Sequence, residues 1–131
     1  MSKDWVADIH EMHEHYGLND PLKKMDSNTL CNFLCFRIDF LQEELTEMED
    51  SVVAEDVVDA LIDLCVVAIG TLESFNVDSY KAWDRVLEAN MAKRVGISKR
   101  LNPLGLPDLV KPEGWVAPSH EDNVGLLSEI Y

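Results

Sequence analysis

Glu43 and Glu47 stand four residues apart, Glu44 and Glu47 three apart, and Asp59 and Asp63 four apart. On helices, residues at these spacings share one face. Few residues separate the two sets around Asp50 and Ser51. So short a connection favours an antiparallel helical hairpin in which the five carboxylates converge. Like charges gathered in one place are strongly unfavourable unless compensated. Hard divalent cations with oxygen ligands compensate them best, which points to Mg²⁺ or Mn²⁺. The plain competing reading is a solvated charged face. Two features weigh against it. A stripe of Phe33, Phe36 and Phe40 runs straight into Glu43, Glu44 and Glu47. Asp56, Asp59, Asp63, Val66 and Gly70 lie on the one strip of the next helix that is not broadly apolar. A di-iron carboxylate bundle wants Glu-x-x-His on each of two helices, and the sequence has none.

Four helices are expected to position these groups. The first covers Asp4 to Tyr16, with Trp5, Ile9, Met12 and Tyr16 at helical spacing and Gly17 as its stop. His10, His13 and His15 on it read as solvated polar positions, since no two are four apart. Ser27, Asn28 or Thr29 caps a second helix running to about Asp50. Its main apolar stripe is Leu30, Leu34, Ile38, Leu41, Leu45 and Met48. Arg37 lies near that stripe, either paired to a carboxylate or aimed at an anion. Ser51 caps a third helix, about Val52 to Phe75, with Asn76 as its C-cap. Gly inside a helix costs roughly 1 kcal/mol against Ala, so Gly70 marks a close approach by a helix or a ligand. Asp78 or Ser79 caps a fourth, about Ser79 to Val95, with Trp83, Val86, Asn90 and Lys93 on one face. From Gly96 onward Pro103, Pro107, Pro112 and Pro118 break the pattern. Lys111 to Trp115 is the part of this irregular tail rich enough to dock on the body. No strand pattern is present. The expectation is an all-α, four-helix-bundle-like fold in a single domain over 1–131, with a helical body at about 4–95 and a tail at about 96–131.

The chain has 131 residues, enough to bury a core, and a formal net charge of −14. That charge repels phosphate backbones and speaks against nucleic-acid binding. The most apolar stretch, Val57 to Leu72, carries Asp59 and Asp63 and is a poor membrane span. The three cysteines, Cys31, Cys35 and Cys65, form no CxxC, as expected of free thiols in a reducing compartment. Cys31 and Cys35 read as small core residues rather than soft-metal ligands. The expected location is the cytoplasm. So much apolar surface on four helices calls for a partner chain, a homodimer or a dimer of dimers.

The chain also resembles a known family, the MazG-like nucleoside triphosphate pyrophosphohydrolases. Glu43-Glu44-x-x-Glu47 is similar to the family's EExxE. Asp59-Ala60-Leu61-Ile62-Asp63, followed by Leu64 to Thr71, resembles its second acidic helix, with Asp63 as the closing Asp. Glu88-Ala89-Asn90-Met91-Ala92-Lys93 resembles the segment of its following helix that carries an Asn and a Lys. Lys111-Pro112-Glu113-Gly114-Trp115, and Met12 to Gly17, are similar to the compact branch related to phosphoribosyl-ATP pyrophosphohydrolase and common in phages. One departure stands out. The family's Glu three before the closing Asp falls on Ala60. Asp59 is the expected substitute, because i−4 lies close to i−3 on a helix. Asp56-x-x-Asp59 has the motif spacing too, but that register misaligns Gly70.

The resemblance implies hydrolysis of a nucleoside triphosphate to the monophosphate and pyrophosphate, with two or three Mg²⁺ or Mn²⁺ per site. Glu44, Glu47, Asp59 and Asp63 would hold metal, and Glu43 would serve as ligand or water-activating base. Lys93, Arg37 and Lys111 would hold phosphates, Asn90 the sugar or base, and Trp83 with the Phe stripe the nucleoside. A deoxynucleotide such as dGTP or dUTP is the implied substrate, in nucleotide-pool control, here in a phage-infected host. Two alternatives stay open: hydrolysis of phosphoribosyl-ATP, and a non-enzymatic metal-binding helical interaction module.

Overall fold

The computed structural model describes residues 3–97 and 104–131, so Pro103 of the tail lies outside the described residues. Four helices dominate: α1 (Trp5–His15), α2 (Ser27–Asp50), α3 (Ala54–Ser74) and α4 (Ser79–Met91). Two three-residue strands, β1 (Arg94–Gly96) and β2 (Asp108–Val110), form an antiparallel ribbon that the sequence reading did not expect. Short 3₁₀ turns occupy Pro21–Lys24 and Gly125–Glu129. Mostly helical, the chain fits the expected all-α class. No helix among the described residues is long and apolar enough to cross a membrane. The chain divides into two compact units, Met1–Ser79 with Asn123–Tyr131, and Tyr80–Asp122.

In the first unit, local chemistry sets the helix ends. The Asp4 carboxylate accepts from Ala7 N at 2.9 Å and opens α1. Asp26, rather than Ser27, Asn28 or Thr29, caps α2, accepting from Thr29 N at 2.8 Å. A carboxylate there both satisfies a free N–H and faces the positive end of the helix dipole. Ser51 does not cap α3. Its hydroxyl donates to Glu47 O at 2.7 Å and closes α2, while α3 starts after extended Val53 without a side-chain cap. Asn76 ends α3 in the left-handed conformation, with φ of 59°.

Helices α2 and α3 pack antiparallel. Phe33 meets Phe75, with ring centroids 5.6 Å apart. Further along, Arg37 reaches Val67 and Thr71, and further still Glu44 feels the charges of Asp63 and Asp59. Small side chains on α3, at Ala60, Gly70 and Ser74, are buried with Val67 and let the helices close up. The core of this unit is Leu22, Leu30, Phe75 and Val77, with Phe33, Leu34 and Leu72 against it. Burying each large apolar side chain contributes about 1.5–3 kcal/mol. Leu126, Leu127 and Ile130 from the chain's end join this core, and Leu126 N donates to Phe75 O at 2.7 Å. Gly125 is required for that contact, since a Cβ there would sit 2.0 Å from Phe75 O. The expected Leu30–Met48 stripe on α2 is fully buried only at its start: Leu30 is covered, Leu34, Leu41 and Met48 are half-buried, and Ile38 and Leu45 are exposed. Cys31 and Cys35 are exposed too, contrary to the core positions expected of them, because they lie off the Leu30–Leu34 line.

In the second unit, α4 stops at Met91 rather than running to Val95. Val95 belongs to β1, paired with Leu109, a place that suits a β-branched residue. Gly96 allows the strands to meet, since a Cβ there would fall 2.8 Å from Val110 Cγ2. The tail docks on α4 as expected: Trp115 Nε1 donates to Ala89 O at 2.7 Å. Asp122 accepts from Arg85 Nη1 and Nη2 at 2.5 and 2.9 Å and from Lys81 at 2.7 Å.

Candidate active site

The acids of the hairpin differ in their surroundings. Glu43, Glu47, Asp56 and Asp59 are exposed and Asp63 is half-buried. Glu44 is only 8 % exposed, and its Oε2 is buried without a hydrogen-bond partner. Burial, then the charges of Glu47 and Asp63, a hydrogen bond with Glu47, and the charge of Asp59 raise the proton affinity of Glu44. Thus Glu44, Glu47, Asp59 and Asp63 share one electrostatic neighbourhood. Ala60, where a family Glu would stand, is buried in the line facing α2. Among the described residues no three His, Cys, Asp or Glu side chains are grouped closely enough to hold a metal ion directly. The donor set still fits a hard cation. It is all carboxylate oxygen, one oxygen is buried and unpaired, and Mg²⁺ keeps several waters of its own.

Arg37 is neither paired to a carboxylate among the described residues nor free. Its Nε donates to Thr71 Oγ1 and its Nη2 to Val67 O, both at 2.9 Å, and it stacks 5.5 Å from the Phe40 ring centroid. Gly70 is indeed a close approach. A Cβ there would lie 2.9 Å from Arg37 Nη2 and 3.1 Å from His13 Nε2. His13 is therefore not a solvated residue. It is 3 % exposed, its Nδ1 has no hydrogen-bond partner, and burial pushes its imidazole below the ordinary value. His13 follows buried Ile9 by four, so helical spacing could have placed it inside. His10 pairs with Glu73, which raises its proton affinity.

The remaining candidates lie in the second unit. Trp83 and Asn90 are exposed, and Lys93 is half-buried. Lys93 Nζ and Lys111 Nζ lie 5.3 and 5.0 Å from the centroid of the same ring, Trp115. Within that distance an indole attracts ammonium groups, so Trp115 holds two lysines that are eighteen positions apart in sequence. Arg85, Glu88, Trp115 and Asp122 help line a cavity of about 810 Å³ in this unit.

The model of one protein family, phosphoribosyl-ATP pyrophosphohydrolase, matches residues 10–90, from within α1 to the end of α4. No curated protein matches the chain, and neither does any solved structure.

Proposed function

The chain belongs to the phosphoribosyl-ATP pyrophosphohydrolase family, within the MazG-like all-α superfamily of nucleotide pyrophosphohydrolases, and from that premise we propose that it hydrolyses a (d)NTP to (d)NMP and pyrophosphate with Mg²⁺ or Mn²⁺. The observation that carries the metal-dependent reading is Glu44: a buried carboxylate with an unpaired oxygen among Glu47, Asp59 and Asp63. A bound cation supplies neutralisation of the triphosphate and a more acidic water. Glu44, Glu47, Asp59 and Asp63 would hold it. Glu43, exposed on the same helical turn, would hold a ligand position or take the proton of the attacking water. The water oxygen bonds to the α-phosphorus, the bond from that phosphorus to the bridging oxygen breaks, and pyrophosphate leaves. Lys93 and Lys111, gathered on Trp115, would meet phosphate charge, and Asn90 and Trp83 the nucleoside. The site is proposed to work in a homodimer or a dimer of dimers.

A deoxynucleotide such as dGTP or dUTP is the proposed substrate. The matching family's description favours a second reading, phosphoribosyl-ATP. Release of pyrophosphate, measured across all (d)NTPs and phosphoribosyl-ATP with Mg²⁺ or Mn²⁺, separates the two. The expected result is pyrophosphate rather than single phosphates, a (d)NTP preferred, and a loss of at least about a hundredfold in Glu47→Gln. Metal binding without turnover of any nucleotide would leave a non-enzymatic module instead.

A further inference from the structure

Arg37 carries a half-buried positive charge in a strongly acidic chain, yet among the described residues it makes no ion pair. A guanidinium normally seeks a carboxylate or phosphate fork. Here both of its recorded hydrogen bonds go to one place on the facing helix, Thr71 Oγ1 and Val67 O, and Thr71 Oγ1 itself donates to Val67 O at 2.7 Å. The three groups close a polar triangle across the α2–α3 seam. Gly70 and His13 wall it: the missing side chain at 70 leaves the space that Nη2 occupies, and the His13 ring fills the far side. Arg37 precedes Glu44 by seven residues and Val67 follows Asp63 by four, about two turns and one turn along the same seam. Sliding α3 by one residue moves it about 1.5 Å. Such a shift pulls both 2.9 Å hydrogen bonds away from their best length and angle at once, and so weakens them.

We propose that Arg37, seated over Gly70, is a positioning residue that fixes the register of α3 against α2, and so holds Asp63 and Asp59 opposite Glu44, rather than a residue that grips substrate phosphate. This rests on the metal-site reading above. The Nε–Nη2 edge, one of the two with which a guanidinium forks a phosphate, is turned onto α3.

The test is Mn²⁺ titration calorimetry without nucleotide, at a temperature where circular dichroism shows each protein folded, together with KM and kcat at saturating Mn²⁺. Arg37→Met is expected to weaken Mn²⁺ binding about ten- to a hundredfold, as loss of groups that orient metal ligands does, with nucleotide KM near wild type. Arg37→Lys, which keeps the charge but loses the planar fork that fixes both bonds at once, recovers only part of that loss. Gly70→Ala, which pushes the guanidinium off its seat, weakens Mn²⁺ binding while leaving Arg37 in place. Thr71→Val, a near-isosteric change, carries the same expectation in smaller measure should Arg37→Met not fold. Unchanged Mn²⁺ affinity with a raised nucleotide KM in Arg37→Met and Arg37→Lys would overturn the proposal and make Arg37 a phosphate ligand. A wild-type protein that binds no Mn²⁺ overturns the metal-site reading itself, a result distinct from a wild type that binds and variants that match it.

Discussion

Glu44 is what sets this acidic hairpin apart from an ordinary charged helix face. An exposed carboxylate loses little by standing near others, because water screens it. Glu44 has given up that water and has received like charges in exchange. Replacing it with Gln removes the repulsion while keeping shape, so the metal-free variant should melt no lower than wild type. It should also lose the stabilisation that a bound cation confers on the native state. Thermal melts with and without Mn²⁺ check this. Wild type is expected to gain several degrees, and Glu44→Gln to gain little from a metal-free baseline at or above that of wild type. A variant that melts lower without metal would show that the carboxylate is held by something other than a cation. The sequence offered Glu43, Glu44 and Glu47 as equals. Spacing assigns residues to a face, but only the packing of α2 against its neighbours decides which of the three is sealed from water.

At the level of elements, the hairpin was legible because its stripes are long and its acids regularly spaced. Its ends were less so. Asp26 outcompeted three neighbouring cap candidates, and Ser51 folded back onto Glu47 instead of starting α3, choices that depend on backbone direction rather than residue type. Val95 left α4 because a strand partner 14 positions away was available at Leu109, a non-local pairing that helical periodicity does not report. The same blindness hid the return of Leu126 and Ile130 to the core, and the seating of α1 on α3 through His13. That seat has a pH signature. The folded-state affinity of His13 for a proton is lowered, by burial first and then by Arg37 and His10, against pulls from Asn19 and Glu73. The unfolded chain therefore binds the proton more readily, and stability is whole above the ordinary histidine value of about 6.5 and falls as pH drops below it. His10 has the opposite sign. Raised by Glu73, its contribution is whole below that value and is lost as pH rises, but it is exposed and weakly felt. Denaturant midpoints between pH 7.5 and 5 should fall for wild type. The slope should flatten in His13→Gln, whose own midpoint is lower at pH 7.5, and persist in His10→Gln.

On the scale of the whole molecule, the decisive quantity is apolar surface left uncovered on the hairpin. Ile38 and Leu45 on α2, and Val58, Leu61 and Ile62 on α3, are all exposed, some of them by about half. They stand on the same two helices as the acids, and apolar side chains left this exposed are what a partner chain would cover. A second copy is the occupant expected from the sequence, as a dimer or a dimer of dimers. Each copy brings a formal charge of −14, so self-association gathers like charge and is opposed by it. Apolar contact must supply the attraction, and an interface of at least about 1,000 Å² is needed for a stable pair. This fixes the sign of the salt effect. Screening weakens the repulsion, with a Debye length of about 8 Å at 0.15 M and about 3 Å at 1 M. Light scattering after size exclusion should therefore find an oligomer that tightens as salt rises. Leu61→Asp, which adds charge to the apolar face away from buried Glu44, should shift it toward monomer. Dissociation by salt would instead mean an interface held by ion pairs, and a strict monomer at every salt concentration would mean that these side chains face water in the working protein.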